Sequence, residues 1–162
     1  MIMNNSTGIS APSTFDKLHG YYLEELSIGM EAIFAKTFTE ADVLLYSGIS
    51  GDTNPLHLNE EFASQTRFGT RILHGMLTTS LWSTIIGTLL PGPGCAYMGQ
   101  ELNFYKPVHI GDTVTTKMTV TEINTAKQVV YLHGEAFVKE TLVAQGQARV
   151  WVPTREKTMT KQ

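Results

Sequence analysis

The sequence predicts an α+β fold in which an antiparallel β-sheet curls around one apolar helix. Two patterns in the 162 residues lead to that prediction. Between residues 74 and 92 an apolar side chain recurs at every fourth position and no charged residue occurs, which is typical of a helix buried on most sides. After residue 96 the hydrophobic period changes to two, and short turn-like segments separate four strand-like runs.

One strand and one amphipathic helix are predicted ahead of the apolar helix. Residues 31–39 have the aromatic and small-residue mix of a strand. Thr39 can cap the helix that follows, and the acidic first turn of that helix complements its positive end. Gly48 and Gly51 are expected to stop it.

A second, short helix is predicted after the bend that follows Gly51. Asn59 can cap this helix and Gly69 closes it. The long apolar helix comes next, and Pro91 and Gly92 end it. Its apolar stripe consists of Leu77, Leu81, Ile85 and Leu89.

Four strands are predicted in the C-terminal half, over residues 96–108, 112–123, 128–140 and 142–153. The segments between them, "HIGD", "NTAK" and "KET", are short enough to form hairpins. Each strand is therefore expected to pair antiparallel with the next one along the chain, as a meander.

Composition favours one globular domain over residues 21–154, with a flexible arm over 1–20 and a tail over 155–162. The net charge is −3 and no basic cluster is visible, which argues against nucleic acid or a membrane as partner. The single cysteine, Cys95, excludes a disulfide framework and is expected to be a buried filler. The absence of a signal-peptide pattern and of a membrane-length apolar run predicts a cytoplasmic protein.

The stretch "SGISGDTNPLHLNEEFA" separates two helical patterns and places His57 five residues after Asp52. Turn chemistry alone accounts for Asp52, Asn54 and Pro55, since Asp and Asn side chains often bind their own backbone. Two features favour a functional bend. Leu56 is an apolar neighbour that can anchor the segment, and Pro55 restricts it, so the carboxylate and the imidazole can be held in a fixed relation.

A third feature is "ILHGML", in which Gly75 stands where the apolar helix begins. A backbone N–H at a helix N-terminus is a donor aimed at an anion. A carboxylate, an imidazole and such a donor are three groups that the addition of water beside a carbonyl needs.

The segments "YSGISGDTNPLHLNEEFA" and "HGMLTTSLWS" resemble the MaoC-like, or R-specific enoyl-CoA hydratase (hydratase 2), family, whose members have a hot-dog fold. The G-D-x-N-P-x-H core followed by H-G at a helix start is a specific pattern. The later segment "GQELNFYKPVHIGDTV" also resembles the strand pair that follows the central helix in that family, so the resemblance covers roughly residues 25–153.

The resemblance implies reversible hydration of a trans-2-enoyl-CoA to an (R)-3-hydroxyacyl-CoA. It implies that Asp52 and His57 are the catalytic pair that holds the added water. It further implies that the Gly75 N–H binds the thioester oxygen, that Ser83 lines the site and that Asn54 braces the loop. No cofactor is expected, and a homodimer with a continuous sheet, or a higher oligomer, is implied.

Other polar residues could in principle form a metal site or bind phosphate. A zinc site needs three protein ligands, of which Asp52 and His57 supply two. His74 can reach the site, but a histidine at a helix start is more often a cap or a hydrogen-bonding residue, so no metal is predicted. The phosphates of an acyl-CoA substrate would need basic residues near the cleft mouth. The candidates are Arg67, Arg71 and Lys106.

The sequence leaves three alternative functions open. The carrier of the acyl group can be acyl carrier protein in place of CoA, which makes the protein a 3-hydroxyacyl dehydratase. The fold can also serve thioester hydrolysis, which attacks the carbonyl carbon and releases free thiol. A non-catalytic acyl-binding subunit is the third, although such subunits generally lack the acid or the imidazole, and Asp52 and His57 are both present.

Overall fold

The computed structural model describes residues 13–155, which form a single antiparallel sheet with helices packed on it. The strands are β1 (Glu31–Thr37), β2 (Ala96–Phe104), β3 (Thr113–Asn124), β4 (Val129–Val138) and β5 (Thr141–Trp151). The helices are α1 (Thr14–Leu18), α2 (Glu40–Ser50), α3 (Pro55–Leu58), α4 (Glu60–Ala63) and α5 (Gly75–Thr88), with one 3₁₀ turn at Leu23–Glu25. Helix α5 packs against β1, β2, β3 and β4, which is the predicted hot-dog arrangement.

The strand order in the sheet is β1-β3-β4-β5-β2, and every neighbouring pair is antiparallel. The hairpins predicted between β3 and β4 and between β4 and β5 are confirmed. The hairpin predicted between β2 and β3 is wrong, because β2 pairs with β5 and β3 pairs with β1. The two strands therefore lie on opposite sides of the β4–β5 pair.

Backbone partners outside the sheet explain why residues 105–112 cross the domain and do not form a tight turn. The N–H of Leu73 donates to the Val108 carbonyl at 2.7 Å, and the N–H of Gly111 donates to the Phe38 carbonyl at 2.8 Å. Buried backbone groups need such partners, and here they come from segments before α2 and α5.

The packing of α5 departs from the predicted stripe at the C-terminal end and on the opposite face. Leu77, Leu81 and Ile85 are buried as predicted, but Leu89 lies beyond the end of the helix and is 43% exposed. Residues 13–155 leave the opposite face uncovered, since Met76, Ser83 and Gly87 are exposed. The buried side chains also include Trp82 and Ile86, which the every-fourth-residue pattern does not pick out.

The depth at which α5 lies depends on a glycine in β4. A row of directly opposed residues crosses the sheet at this level: Ala32, Met118, Gly134, Gly146 and Leu102. A Cβ on Gly134 would come within 2.9 Å of the Trp82 ring and 2.7 Å of the Met118 sulfur. The indole therefore occupies space that any other residue at position 134 would fill.

The chain ends differ in part from the predicted arm and tail. Residues 1–12 and 156–162 lie outside the described residues, so flexibility there remains a prediction. Within the predicted arm, α1 is followed by a segment whose backbone binds the loop after α5: the N–H of Gly20 donates to the Pro93 carbonyl at 2.8 Å. Between residues 13 and 155, no helix is long and apolar enough to cross a bilayer.

Cys95 lies in the loop between α5 and β2 and is half-buried. Its thiol donates a hydrogen bond to the Ile86 carbonyl at 3.3 Å, and burial raises the pKa of that thiol. Both features oppose thiolate formation, in agreement with a packing role.

Candidate active site

The bend between α2 and α3 is held by hydrogen bonds from its own side chains. Helix α2 begins at a capping box, in which the N–H of Thr39 donates to the Asp42 carboxylate at 2.8 Å, and it runs through Gly48 to end at Gly51. In the bend the Asp52 carboxylate accepts the Asn54 N–H at 3.2 Å. The Asn54 side chain in turn caps α3. Helix α2 continues through Gly48, so the prediction that Gly48 stops this helix is wrong.

Short helix α3 places His57 against the segment that leads into α5. The His57 side chain is almost fully buried, with 7% of the residue exposed. Its Nδ1 lies 2.8 Å from the Ile72 carbonyl oxygen, which can only accept, so Nδ1 carries the ring proton. The Nε2 atom of the neutral ring is consequently the one that can accept a proton.

The surroundings of His57 lower the pKa of its imidazole. The main cause is burial, which disfavours the charged ring, and the nearby His74 acts in the same direction. The hydrogen bond to Ile72 and the negative charge of Asp52 oppose the shift but do not cancel it. The ring is therefore kept in the neutral form that a general base requires.

Asp52, His57 and His74 meet at one point. One carboxylate oxygen and one ring nitrogen from each histidine lie within 4.8 Å of one another. His74 is 2% exposed and directly precedes α5, and its ring centroid lies 3.9 Å from that of His57. Its Nε2 lies 3.0 Å from the backbone carbonyl oxygen of Asp52.

These three residues are also a potential metal-ligand set. The sequence indicates two ligands, Asp52 and His57, and the fold places His74 beside them as a third. The geometry favours hydrogen bonding. One nitrogen of each histidine already faces a backbone carbonyl, and the two rings face each other at an interplanar angle of 35°. The absence of a metal at these three residues stays a prediction.

Gly75 is the first residue of α5, where the backbone N–H has no partner within the helix. It lines a cleft of about 210 Å³ together with His57, Thr78 and Phe104. A Cβ at position 75 would lie 3.1 Å from two atoms of the Phe104 ring, so glycine lets that aromatic ring approach the start of the helix. Asp52 and Asn54 do not line this cleft.

Ser83 lies elsewhere within this single chain. It is exposed and lines a second cleft of about 340 Å³ with Tyr46, Met76 and Tyr97. Eight residues separate it from Gly75, or about 12 Å along the helix axis at 1.5 Å per residue. The fold therefore brings Asp52 and His57 together but does not bring Ser83 to them, and the role implied for Ser83 stays a prediction.

The three basic candidates divide into two groups. Arg71 is held by the Glu40 carboxylate through two contacts of 2.8 Å and lies 3.4 Å from Glu60, so it braces α2 against α4. Arg67 and Lys106 are exposed, and both line the cleft that contains His57 and Gly75.

Most of the chain matches one protein family. The family model described as "MaoC like domain" matches residues 25–143. The chain belongs to the MaoC-like family. The (R)-specific enoyl-CoA hydratase of Rhodospirillum rubrum is 46% identical over 140 residues, which cover 86% of this chain and 97% of that protein. The 3-hydroxybutyryl-CoA dehydratase of Methylorubrum extorquens is 43% identical over 140 residues, which cover 86% and 89%.

Solved structures of MaoC-like proteins have the same hot-dog fold. The (R)-hydratase from Aeromonas caviae involved in PHA biosynthesis superimposes with a TM-score of 0.77 at 40% identity, covering 80% of this chain and 99% of that one. The R-hydratase PhaJ1 from Pseudomonas aeruginosa gives the same TM-score at 37% identity, covering 83% and 86%. The matched relatives named as hydratases and dehydratases are hydro-lyases.

Proposed function

We propose that this MaoC-like chain catalyses the reversible, R-specific hydration of trans-2-enoyl-CoA to (R)-3-hydroxyacyl-CoA. The observation that carries the proposal is that one ring nitrogen of the buried His57 lies within 4.8 Å of an Asp52 carboxylate oxygen, in a neutral ring whose Nε2 can accept a proton. Two hydrogen bonds of about 2.8 Å can span such a gap through one water molecule. The R-specific names of relatives up to 46% identical support the stereochemistry.

In the proposed mechanism, Asp52 and His57 hold one water beside C3 of the enoyl thioester. His57 Nε2 takes a proton as the water oxygen forms its bond to C3, and the electron pair of the double bond moves to the thioester oxygen. The Gly75 N–H stabilises that oxyanion, a contribution of about 2.7–4 kcal/mol for one well-placed donor. Return of a proton from the Asp52–His57 pair to C2 completes the addition, and general acid–base help is worth roughly 10²- to 10⁴-fold.

The first experiment follows the ultraviolet absorbance of crotonyl-CoA mixed with the pure protein. We expect loss of the conjugated enoyl thioester, no release of free thiol, and an (R)-3-hydroxy product on chiral analysis. Free thiol in step with the absorbance change would identify a thioesterase instead. A lack of reaction with crotonyl-CoA, longer enoyl-CoA and enoyl-acyl-carrier-protein substrates together would contradict any hydratase.

The acyl-carrier-protein alternative has some support. A mitochondrial 3-hydroxyacyl-[acyl-carrier-protein] dehydratase of Solanum lycopersicum is 34% identical over 132 residues, covering 80% of this chain and 79% of that protein. The relatives named for CoA substrates are more similar, at 43% and 46% identity, and they favour CoA. The ratio of kcat/KM for the two carriers at equal acyl length decides between them.

Arg67 and Lys106 are proposed to contact the phosphates of CoA at the mouth of the cleft. Replacing either by Ala is expected to raise KM for crotonyl-CoA by roughly 2- to 5-fold with little change in kcat, the size of one exposed charge contact. Crotonyl-pantetheine carries no phosphate, so its KM should not change. Lys139→Ala, in the turn between β4 and β5, is the matched control. Equal KM changes for both substrates would contradict the assignment.

The pH dependence of activity follows from the lowered pKa of His57. The neutral ring is the active form, and it persists to lower pH than an ordinary histidine, whose pKa is about 6.5. We therefore expect the acidic decline in kcat/KM to have its midpoint below pH 6.5, because the folded protein holds the His57 pKa under that value. Measuring kcat/KM across the acidic range tests this, and a decline centred above that pH would be inconsistent with a buried neutral base.

A homodimer is proposed because β2 forms one edge of the sheet. Its unpaired backbone groups are accompanied by exposed Tyr97, Met98 and Phe104, and long exposed edges in natural proteins are usually paired or covered. Pairing two copies through β2 would make one continuous sheet. Sedimentation equilibrium at micromolar concentration should give twice the 17.9 kDa chain mass, and a monomer would contradict the proposal.

A further inference from the structure

His74 makes ring contacts with two neighbouring side chains. Its centroid lies 3.9 Å from that of His57 and 4.9 Å from that of Tyr46, with the rings tilted in both pairs. His57 lines the cleft that contains Gly75, whereas Tyr46 lines the second cleft. The imidazole of His74, which is 2% exposed, therefore contacts one lining residue of each cleft.

The hydrogen bonds of His74 connect it to the backbone of the catalytic bend. Its Nε2 faces the carbonyl oxygen of Asp52 at 3.0 Å and the hydroxyl of Ser47 at 3.3 Å. Since a carbonyl oxygen can only accept, Nε2 carries a proton and donates it to Asp52. The carbonyl of the residue that supplies the carboxylate is thus bound to a side chain from the start of α5.

The other nitrogen of His74 is an unusual feature. Its Nδ1 is buried and has no hydrogen-bond partner among the residues that the structure describes. Burying a polar atom without a partner destabilises the folded state, a cost that an apolar side chain of similar size would avoid. If position 74 only filled space, an apolar residue would serve better. The hydrogen bond that Nε2 donates to Asp52 explains why a histidine is present.

We propose that His74 is a positioning residue for hydration, which fixes the distance between the Asp52 carboxylate and the His57 imidazole through one hydrogen bond and one ring contact. The proposal rests on the proposed function of the site. We do not assign His74 a direct contact with the reacting atoms, because its Nε2 faces the backbone carbonyl of Asp52 and its Nδ1 is buried.

The test compares two substitutions that divide these two contacts. His74→Phe keeps a flat ring beside His57 but removes the donor to Asp52. His74→Gln keeps an amide N–H donor and removes the ring. Misplacement of a reacting group by about 1 Å can cost on the order of 10²-fold in rate. We expect His74→Phe to lower kcat for crotonyl-CoA by roughly 10- to 100-fold with KM nearly unchanged, and His74→Gln to recover part of that loss.

A second readout does not depend on activity. Because His74 helps to lower the pKa of His57, its removal should move the titration of the His57 ring, followed by NMR, to higher pH. His133→Phe, in β4, controls for loss of a histidine elsewhere and should leave both kcat and the His57 titration unchanged. If the wild-type chain lacks hydratase activity, the proposed function fails, while the NMR titration still reports whether His74 controls His57.

Three results would overturn the positioning role. The first is wild-type kcat in His74→Phe. The second is an equal loss of kcat in both variants that parallels a loss of thermal stability, which indicates a structural role. The third is an unchanged titration of His57 in both variants. If His74→Phe does not fold, the kcat and the His57 titration of His74→Gln decide the question.

Discussion

Replacing Asp52 by Asn is expected to lower kcat for crotonyl-CoA hydration by roughly 10²- to 10⁴-fold, the range of general acid–base contributions. The Asp52 carboxylate is exposed, and one of its oxygens accepts the Asn54 N–H. An Asn side chain retains that acceptor, so the bend should keep its conformation while the negative charge and the basic oxygen are lost. The measurement is kcat and KM for the variant, with circular dichroism and thermal unfolding to verify the fold.

Asp112→Asn is the matched control for this substitution. The Asp112 carboxylate accepts the His109 N–H at 2.8 Å in a turn outside the clefts, so it makes the same kind of local hydrogen bond without a catalytic assignment. Activity of Asp112→Asn should equal that of the wild-type chain. A folded Asp52→Asn protein with full hydratase activity would rule out the proposed mechanism.

The largest expected effect on stability comes from Trp82→Ala. Trp82 is 1% exposed, and its indole N–H donates to the Thr116 hydroxyl at 2.9 Å. Truncation leaves a cavity between α5 and the sheet and removes this hydrogen bond. We expect the free energy of unfolding to fall by about 3–5 kcal/mol, the usual cost of replacing a buried Trp by Ala. Urea denaturation of the wild-type and variant proteins at equal concentration measures the difference.

Two further variants separate packing from hydrogen bonding at Trp82. Trp82→Phe retains most of the apolar volume and should cost less than Trp82→Ala. Thr116→Val keeps the indole but removes its acceptor, which should cost about 1–3 kcal/mol because a buried N–H is left unpaired. A loss below about 1 kcal/mol for Trp82→Ala would show that α5 repacks easily on the sheet.

Local patterns predicted the parts of the fold whose determinants are close in sequence. The Thr39 cap, the start of α5 at Gly75 and the two hairpins after β3 depend on residues within a few positions of each other. The partner of β2 depends on distant segments instead. Its neighbour β5 begins 37 residues after β2 ends, and turn length cannot report a crossover that backbone partners near Phe38 and Leu73 stabilise.

The candidate active site also combines residues that a local motif predicts with a residue whose contacts depend on distant segments. The bend that holds Asp52 and His57 has a recognisable motif, and the fold brings the two residues together. The sequence indicates that His74 can reach the site but not what it contacts, because its ring contact with His57 and its burial arise when α3 packs against the residues before α5. The available signal was its position immediately before Gly75, the residue implied to bind the thioester oxygen.

Gly134 lies on β4, far along the chain from the bend, yet it determines where the start of α5 lies. Trp82 can approach the sheet only because position 134 has no side chain, and Gly75 lies seven residues earlier on the same helix, about 10 Å away along its axis. Because Trp82 and Gly75 belong to one helix, a bulkier residue under Trp82 is expected to displace the N–H proposed to bind the thioester oxygen. The alignment of the proposed reaction thus depends on the interior of the domain as well as on its clefts.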